Sequence, residues 1–439
     1  MTVSPEQRKK NHIDVVSNAR SHTLHERAFG ATDSDNKSLN AERPERRHPS
    51  PRETTVLASI SMRRFLAFLV LVSTGVVGPT QRTGTTLSNL STISPLSSAT
   101  VPITTLAPPA TAPVTSELPT GSTPPSSSLP TSTRTWTLAF GGDTLFTRPL
   151  AVLGSRSPFD RVDPAFRRAD LTIVNLETAL TTRGTQQTKT YTFRSPPGFA
   201  HLLQQAGVDV VSLANNHVLD YGTIGLADTL AALDAAGVAR TGAGLDAAEA
   251  LSPVSIELGN GTETLRVAVL AASQIIPNAG WVARPASPGI ASAGKHVIDT
   301  NTERVVVAVK KAARDHQVVI VVMHWGIEGD PCPSPIQRRL SRVLVDAGAD
   351  IVLGAHPHIL QPIEQTGTSI VAYSLGNFIW DPRSGATGDS GVLTVDFQGE
   401  IARTVNFIPH RLDANGWAAT IPATGKAASV RARTTRVCR

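Results

Sequence analysis

Cysteine is almost absent from this 439-residue chain, which has two, Cys332 and Cys438. Neither lies directly after the apolar run near residue 70, which argues against a lipid-modified cysteine there. Outside the cytoplasm such a pair can close a loop of about a hundred residues or stay reduced. Sequence leaves that choice open, because it does not give the distance between the two Cα atoms. Methionine is equally sparse, at three residues, and one of them, Met62, directly precedes Arg63-Arg64. Long apolar runs are missing too. Phe65–Gly78 (FLAFLVLVSTGVVG) reaches only 14 residues, short for a membrane span but right for a signal-peptide core behind a positive flank. The expectation is export with a start at Met62; in the longer form the same run becomes a membrane anchor with a basic cytoplasmic head. No dense basic run occurs either. From residue 135 onward 27 basic residues face 26 acidic ones, so nucleic acid is not an expected partner. A Gly-x-x-x-x-Gly-Lys-Ser/Thr phosphate loop is also lacking, so any ATP-driven ligation belongs to a partner.

What is present divides the chain into five parts. Residues 1–61 are a polar charged extension, 62–78 the signal or anchor segment, and 79–134 a Ser/Thr/Pro-rich tether that cannot bury enough apolar surface to fold. Residues 135–412 alternate strand and helix signals and form one α/β domain. Residues 413–439 are polar and basic, and a disordered tail is expected from about Gly425. Within the domain, 135–140, 171–176, 208–213, 265–270, 318–323 and 350–353 read as buried strands. An amphipathic helix is expected at 224–236, closed by Gly237, and a helix at 336–347, closed by Gly348. The alternating segments 369–374, 391–397 and 401–407 read as later antiparallel strands.

Polar residues recur just past the strand ends, where open α/β sheets bind ligands. Asp143 follows two glycines that let a ligand approach the backbone closely. Glu177 ends the very apolar LTIVNL run, a costly place for a carboxylate without a cation or strong donors. Asn215-Asn216-His217 ends the next strand, His324 follows VVIVVM, and Gly354-Ala355-His356-Pro357-His358 ends another. Each alone is as readily a turn or core residue. Together, carboxylates with neutral imidazoles favour divalent ions of the Mn, Fe or Zn class, and a bridging carboxylate between two such ions suits activation of water against a phosphoryl group.

These motifs resemble the CapA family, the PgsA-like poly-γ-glutamate capsule synthesis proteins, within the calcineurin-like metallophosphoesterase superfamily. The resemblance runs from about Trp136 to Phe407. It is carried by Gly142-Asp143, Asn175–Glu177, Ala214–Gly222 (ANNHVLDYG), His324–Glu328 (HWGIE), Gly354–Gln361 (GAHPHILQ) and Ser374–Phe378 (SLGNF). It implies a four-layer αββα sandwich with mixed sheets. It further implies that Asp143 and His358 serve a first metal, Asn216, His324 and His356 a second, and Glu177 bridges them. His217 then protonates the leaving oxygen, Asp220 orients His217, and Asn377 lines the site. One motif departs: the superfamily's Asp-x-His has Leu145 at its third position here, so the first metal loses one of its histidines and keeps His358. The implied function is an exported or membrane-anchored hydrolase of phosphoesters in capsule biosynthesis. The alternative is a non-hydrolytic surface component that binds an anionic polymer beside a membrane-bound polyglutamate synthesis complex.

Overall fold

Strand β1 (Thr135–Thr144) begins the folded region of the computed structural model, which describes residues 14–15, 134–259 and 263–438. The signal-type run and nearly all of the Ser/Thr/Pro tract lie outside the described residues. After β1 come β2 (Leu171–Leu176), helix α1 (Phe199–Gln205), β3 (Val210–Ser212), α2 (Gly222–Ala236) and β4 (Ala239–Thr241). The chain then builds β5 (Val254–Gly259), β6 (Thr264–Ser273), α3 (Thr300–Asp315), β7 (Val318–His324), α4 (Pro335–Asp346), β8 (Ile351–Ala355), β9 (Ile363–Thr366) and β10 (Ser369–Ala372). It ends with β11 (Asn377–Ile379), β12 (Asp389–Gln398), β13 (Ile401–Leu412), β14 (Ala418–Thr420) and α5 (Gly425–Thr434).

Two mixed sheets result, the fold class expected. One runs β14-β13-β12-β1-β2-β3-β4, with β1 to β4 parallel and β11 beside the end of β1. The other runs β5-β6-β7-β8-β10-β9 from an edge strand at Asp14–Val15, with β6, β7, β8 and β10 parallel. Strand alternation sorts the side chains. Leu171 and Ile173 of β2 share a cluster with Ile320 and Val322 of β7 and Ile351 of β8, whereas Val174 and Leu176 join the helix residues Phe199, Leu226 and Leu230. Val319, Val321 and Met323 pack with Val309 of α3 and Leu340 of α4. The buried residues thus form one cluster shared by strands of both sheets and two in which strands pack with helices. Each fully buried Val, Ile or Phe contributes about 1.5–3 kcal/mol, so a one-residue slip of any central strand is strongly disfavoured.

Three expectations change. Helix α3, capped by Asp299 and Thr302 in a capping box, has no counterpart among the elements expected from the sequence. Helix α2 buries Leu226, Leu230 and Leu233 but leaves Ile224 exposed, so its two faces contrast less than an amphipathic helix should. The stretch from Gly425 to Cys438 is not a disordered tail. β14 pairs with β13, α5 buries Val430, Arg433 meets Asp389, and Cys438 is disulfide-bonded to Cys332. The basic composition concealed a helix that two specific anchors hold.

A buried histidine adds a pH-dependent element. His410 on β13 is fully buried; its Nδ1–H donates to Ile408 O (2.9 Å) and its Nε2 accepts from Asp163 N–H (3.0 Å). Protonation at Nε2 would set N–H against N–H. Burial lowers its pKa, against weaker opposing pulls from the Ile408 carbonyl and Asp163. The unfolded chain therefore takes the proton first on acidification. The stabilisation is complete above the ordinary histidine pKa of about 6.5 and is lost as pH falls below it. In urea titrations the midpoint should drop from pH ~7.5 to ~5.5, and less steeply in His410→Gln; equal slopes for both proteins would remove His410 from the account.

Candidate metal centre

The strand ends converge because the inward-facing side chains of β1, β2, β7 and β8 meet where the parallel strands finish. On β2 the inward parity of Leu171 and Ile173 continues through Asn175 to Glu177. On β7 it continues from Val322 to His324. Strand β1 needs a correction to reach the same side: its register against β2 shifts by one residue between Phe140 and Asp143. Such a bulge re-aims the side chains beyond it, and Asp143 lands opposite Asn175. The preceding glycines serve this packing rather than close approach by a ligand. A Cβ on Gly142 would sit 1.9 Å from Gly376 O, and one on Gly141 2.9 Å from the Phe378 ring.

The expected residues come together. Asn175 Nδ2 donates to Asp143 Oδ1 (2.9 Å), and His358 Nδ1 lies 3.1 Å from Asp143 Oδ2. Glu177 Oε1 lies 3.5 Å from His324 Nε2 and 3.8 Å from His358 Nε2. Asn216 Oδ1 is 2.8 Å from His324 Nε2. His356 and His358 sit on the turn after β8 with φ of 95° and 56°, a left-handed backbone that non-glycine residues adopt at some cost. That turn lets two imidazoles at i and i+2 serve one cluster, where an extended strand would aim them apart. Asn377 Oδ1 holds His358 Nδ1 at 2.9 Å. Asn215 fixes the neighbouring loop: its Oδ1 accepts from His217 N and Val218 N, and its Nδ2 donates to Leu176 O.

Beside the cluster, His217 Nδ1 contacts Asp220 Oδ2 at 2.6 Å, and both residues are buried. Lys189 Nζ donates to Asp220 Oδ1 (2.7 Å) and also meets Asn216 O. The Phe193 ring packs on His217, with centroids 4.3 Å apart. Sequence reasoning gave no role to Asn175, Lys189 or Glu328. Asn175 and Glu328 stand inside quoted motifs, but Lys189 lies in a polar loop with no local signal. Leu145, where the resemblance leads one to expect histidine, is buried in the core just past β1, so this motif brings one donor only.

Burial dominates the electrostatics. Glu177 is pushed well above the usual carboxylate range by burial and then by the Asp143 charge. His324 is held well below the ordinary imidazole value, and His356 is pushed down to about 3, by burial first and then by neighbouring histidines. Burial alone would lower His358 as well, but the Asp143 carboxylate outweighs it and raises the value. Two polar atoms, Glu177 Oε1 and His356 Nδ1, are buried without any hydrogen bond. Such orphans cost about 1–3 kcal/mol each, and the donor types suit a divalent cation.

The residues fit such a group. Glu177, His324 and His356 offer ligand atoms within 4.8 Å of one another, and so do Asp143, Glu177 and His358. Asn216 Oδ1 and His324 Nε2 stand as far apart as neighbouring donors on one ion, about 3 Å for donors at about 2.1 Å from it. Glu177 belongs to both sets, which is where a bridging carboxylate must lie.

A mixed α/β fold with carboxylates, imidazoles and an amide gathered at its strand ends defines the class: an α/β protein with a candidate divalent-metal centre. Over residues 137–382 the sequence matches the family described as Bacterial capsule synthesis protein PGA_cap, and the chain belongs to that family. It is 31% identical over 261 residues to the PGA biosynthesis protein CapA of Bacillus subtilis (strain 168), covering 58% of this chain and 66% of that one. It is 34% identical over 207 residues to the Capsule biosynthesis protein CapA of Bacillus anthracis, covering 47% and 48%. The chain thus spans between about half and two thirds of the length of these relatives.

Proposed function

We propose that this chain is a metal-dependent hydrolase of the metallophosphoesterase type, acting outside the cytoplasm in polyglutamate capsule biosynthesis. The observation that carries the reading is Glu177. It is fully buried, shared by two ligand sets, and left with an unpartnered oxygen between His324 and His358. Asp143, Glu177 and His358 would hold one ion, and Glu177, Asn216, His324 and His356 the other. Bound there, divalent ions supply Lewis acidity and lower the pKa of water. His217, held through Nδ1 by Asp220, turns Nε2 toward the substrate and delivers a proton to the leaving oxygen. Lys189 screens Asp220 and lends positive charge beside an anionic substrate. The Cys332–Cys438 bond supports the location, since disulfides persist in oxidising compartments. Among the described residues no helix is long and apolar enough to cross a membrane; the segment at 62–78, outside them, is the signal or anchor we assign to this role.

The test is hydrolysis of p-nitrophenyl phosphate and bis-p-nitrophenyl phosphate by the purified full chain. Activity should vanish with EDTA and return with Mn(II) or Zn(II). His356→Ala should fall at least a hundredfold. Hydrolysis that ignores both chelator and His356 would exclude this centre as its source. Metal-loaded protein that binds poly-γ-glutamate yet hydrolyses no phosphoester would favour the non-hydrolytic assembly role.

A further inference from the structure

The short loop after β7 brings a third carboxylate to the centre. Glu328 is exposed, yet one of its oxygens lies within 4.8 Å of a ring nitrogen of both His356 and His358, and those two nitrogens are equally close to each other. His356 belongs to one ligand set and His358 to the other, so Glu328 reaches the open side of the cluster between them. One of these imidazoles carries the buried, unpartnered Nδ1 of His356.

The loop is built to present this side chain. Gly326 (φ 90°) and Gly329 (φ 74°) flank Glu328, turning the chain back in conformations that favour glycine. Gly329 N–H donates to Pro357 O (2.9 Å), docking the loop on the turn that carries both histidines. At its far end, Gln361 Nε2 donates to Asp330 O (2.9 Å) and Cys332 O (3.0 Å), and Cys332 is bonded to Cys438. An exposed acid on a wandering loop needs no such anchoring.

We infer that Glu328 is a metal ligand of this centre, closing its solvent face and adding a donor where Leu145, just past β1, offers none. The inference rests on the metal-centre reading above. In that arrangement the protein donates two buried carboxylates, Asp143 and Glu177, and one exposed carboxylate that a substrate anion can displace.

The test counts metal rather than turnover. The full chain is stripped with EDTA, equilibrated with Mn(II) alone, desalted, and assayed by plasma mass spectrometry and by calorimetric titration. Wild type should retain about two ions per chain, the number a bridging carboxylate serves. Glu328→Gln should lose one, or bind the weaker ion roughly ten- to a hundredfold less tightly, and Glu328→Asp should fall between. Melting of the metal-free proteins should coincide, because the side chain is exposed. Glu328→Gln with the number and affinities of wild type would overturn this inference and leave the underlying centre intact. Wild type that binds no Mn(II) would overturn both.

Discussion

His217→Ala is expected to lower kcat for phosphoester hydrolysis by about 10²–10⁴-fold while leaving bound metal unchanged. His217 is not in either ligand set; its Nδ1 is engaged by Asp220 at 2.6 Å, and the Phe193 ring covers one face of the imidazole. Because the contact with Asp220 is the shorter, the 3.2 Å approach of Lys189 Nζ to the same nitrogen is a neighbourly one. Nδ1–H therefore donates to Asp220, and His217 acts as the acid in its imidazolium form, with the second proton on Nε2. A proton delivered there matters most when the leaving group is poor. The loss should be large for an alkyl phosphoester and much smaller for p-nitrophenyl phosphate, whose leaving oxygen needs little help. Asp220→Asn should show the same pattern more weakly, since it disturbs the imidazole without removing it. An equal loss with both substrates would point to a structural role for His217, and no loss with either would end its assignment as the acid.

Breaking the Cys332–Cys438 bond should cost the folded protein roughly 2–4 kcal/mol, toward the top of that range because the loop it closes is long. The cysteines are 106 residues apart in sequence. The bond ties α5 to the loop that carries Glu328, so two elements loosen together. Arg433 with Asp389, and Arg338 with the Cys438 carbonyl (3.2 Å), remain as weaker ties. Denaturation of the full chain with and without reductant, and of Cys438→Ser, reads the effect. Midpoints that coincide would mean the C-terminal segment is held without the bond.

Much of the centre was legible because strand ends have a simple grammar. An apolar run of five or six residues that stops at Asp143, Glu177, His324 or His356 announces a polar group at a sheet edge. What the sequence does not reveal is which side that group faces. Asp143 reaches the cluster only through the register shift at Gly141-Gly142, and His358 only through a left-handed turn. Lys189 was invisible because its partners, Asp220 and the Asn216 carbonyl, lie about thirty residues away in a different loop. The C-terminal helix is hidden in the sequence because its basic residues promise solvent exposure. Asp389 and a disulfide, neither local to it, decide otherwise. Helix α3 does have a local start signal, the capping box of Asp299 and Thr302, but no glycine stop marks its end as Gly237 and Gly348 mark those of α2 and α4.

The central claim is that Glu177 joins two ion positions, and bound metal measures it most directly. The purified full chain, loaded with Mn(II) and desalted, should carry about two ions whose electron paramagnetic resonance shows exchange coupling through a shared ligand. Glu177→Ala should lose the coupling and most of the metal. Uncoupled or absent Mn(II) in wild type, or a coupled pair that survives Glu177→Ala, would contradict the account.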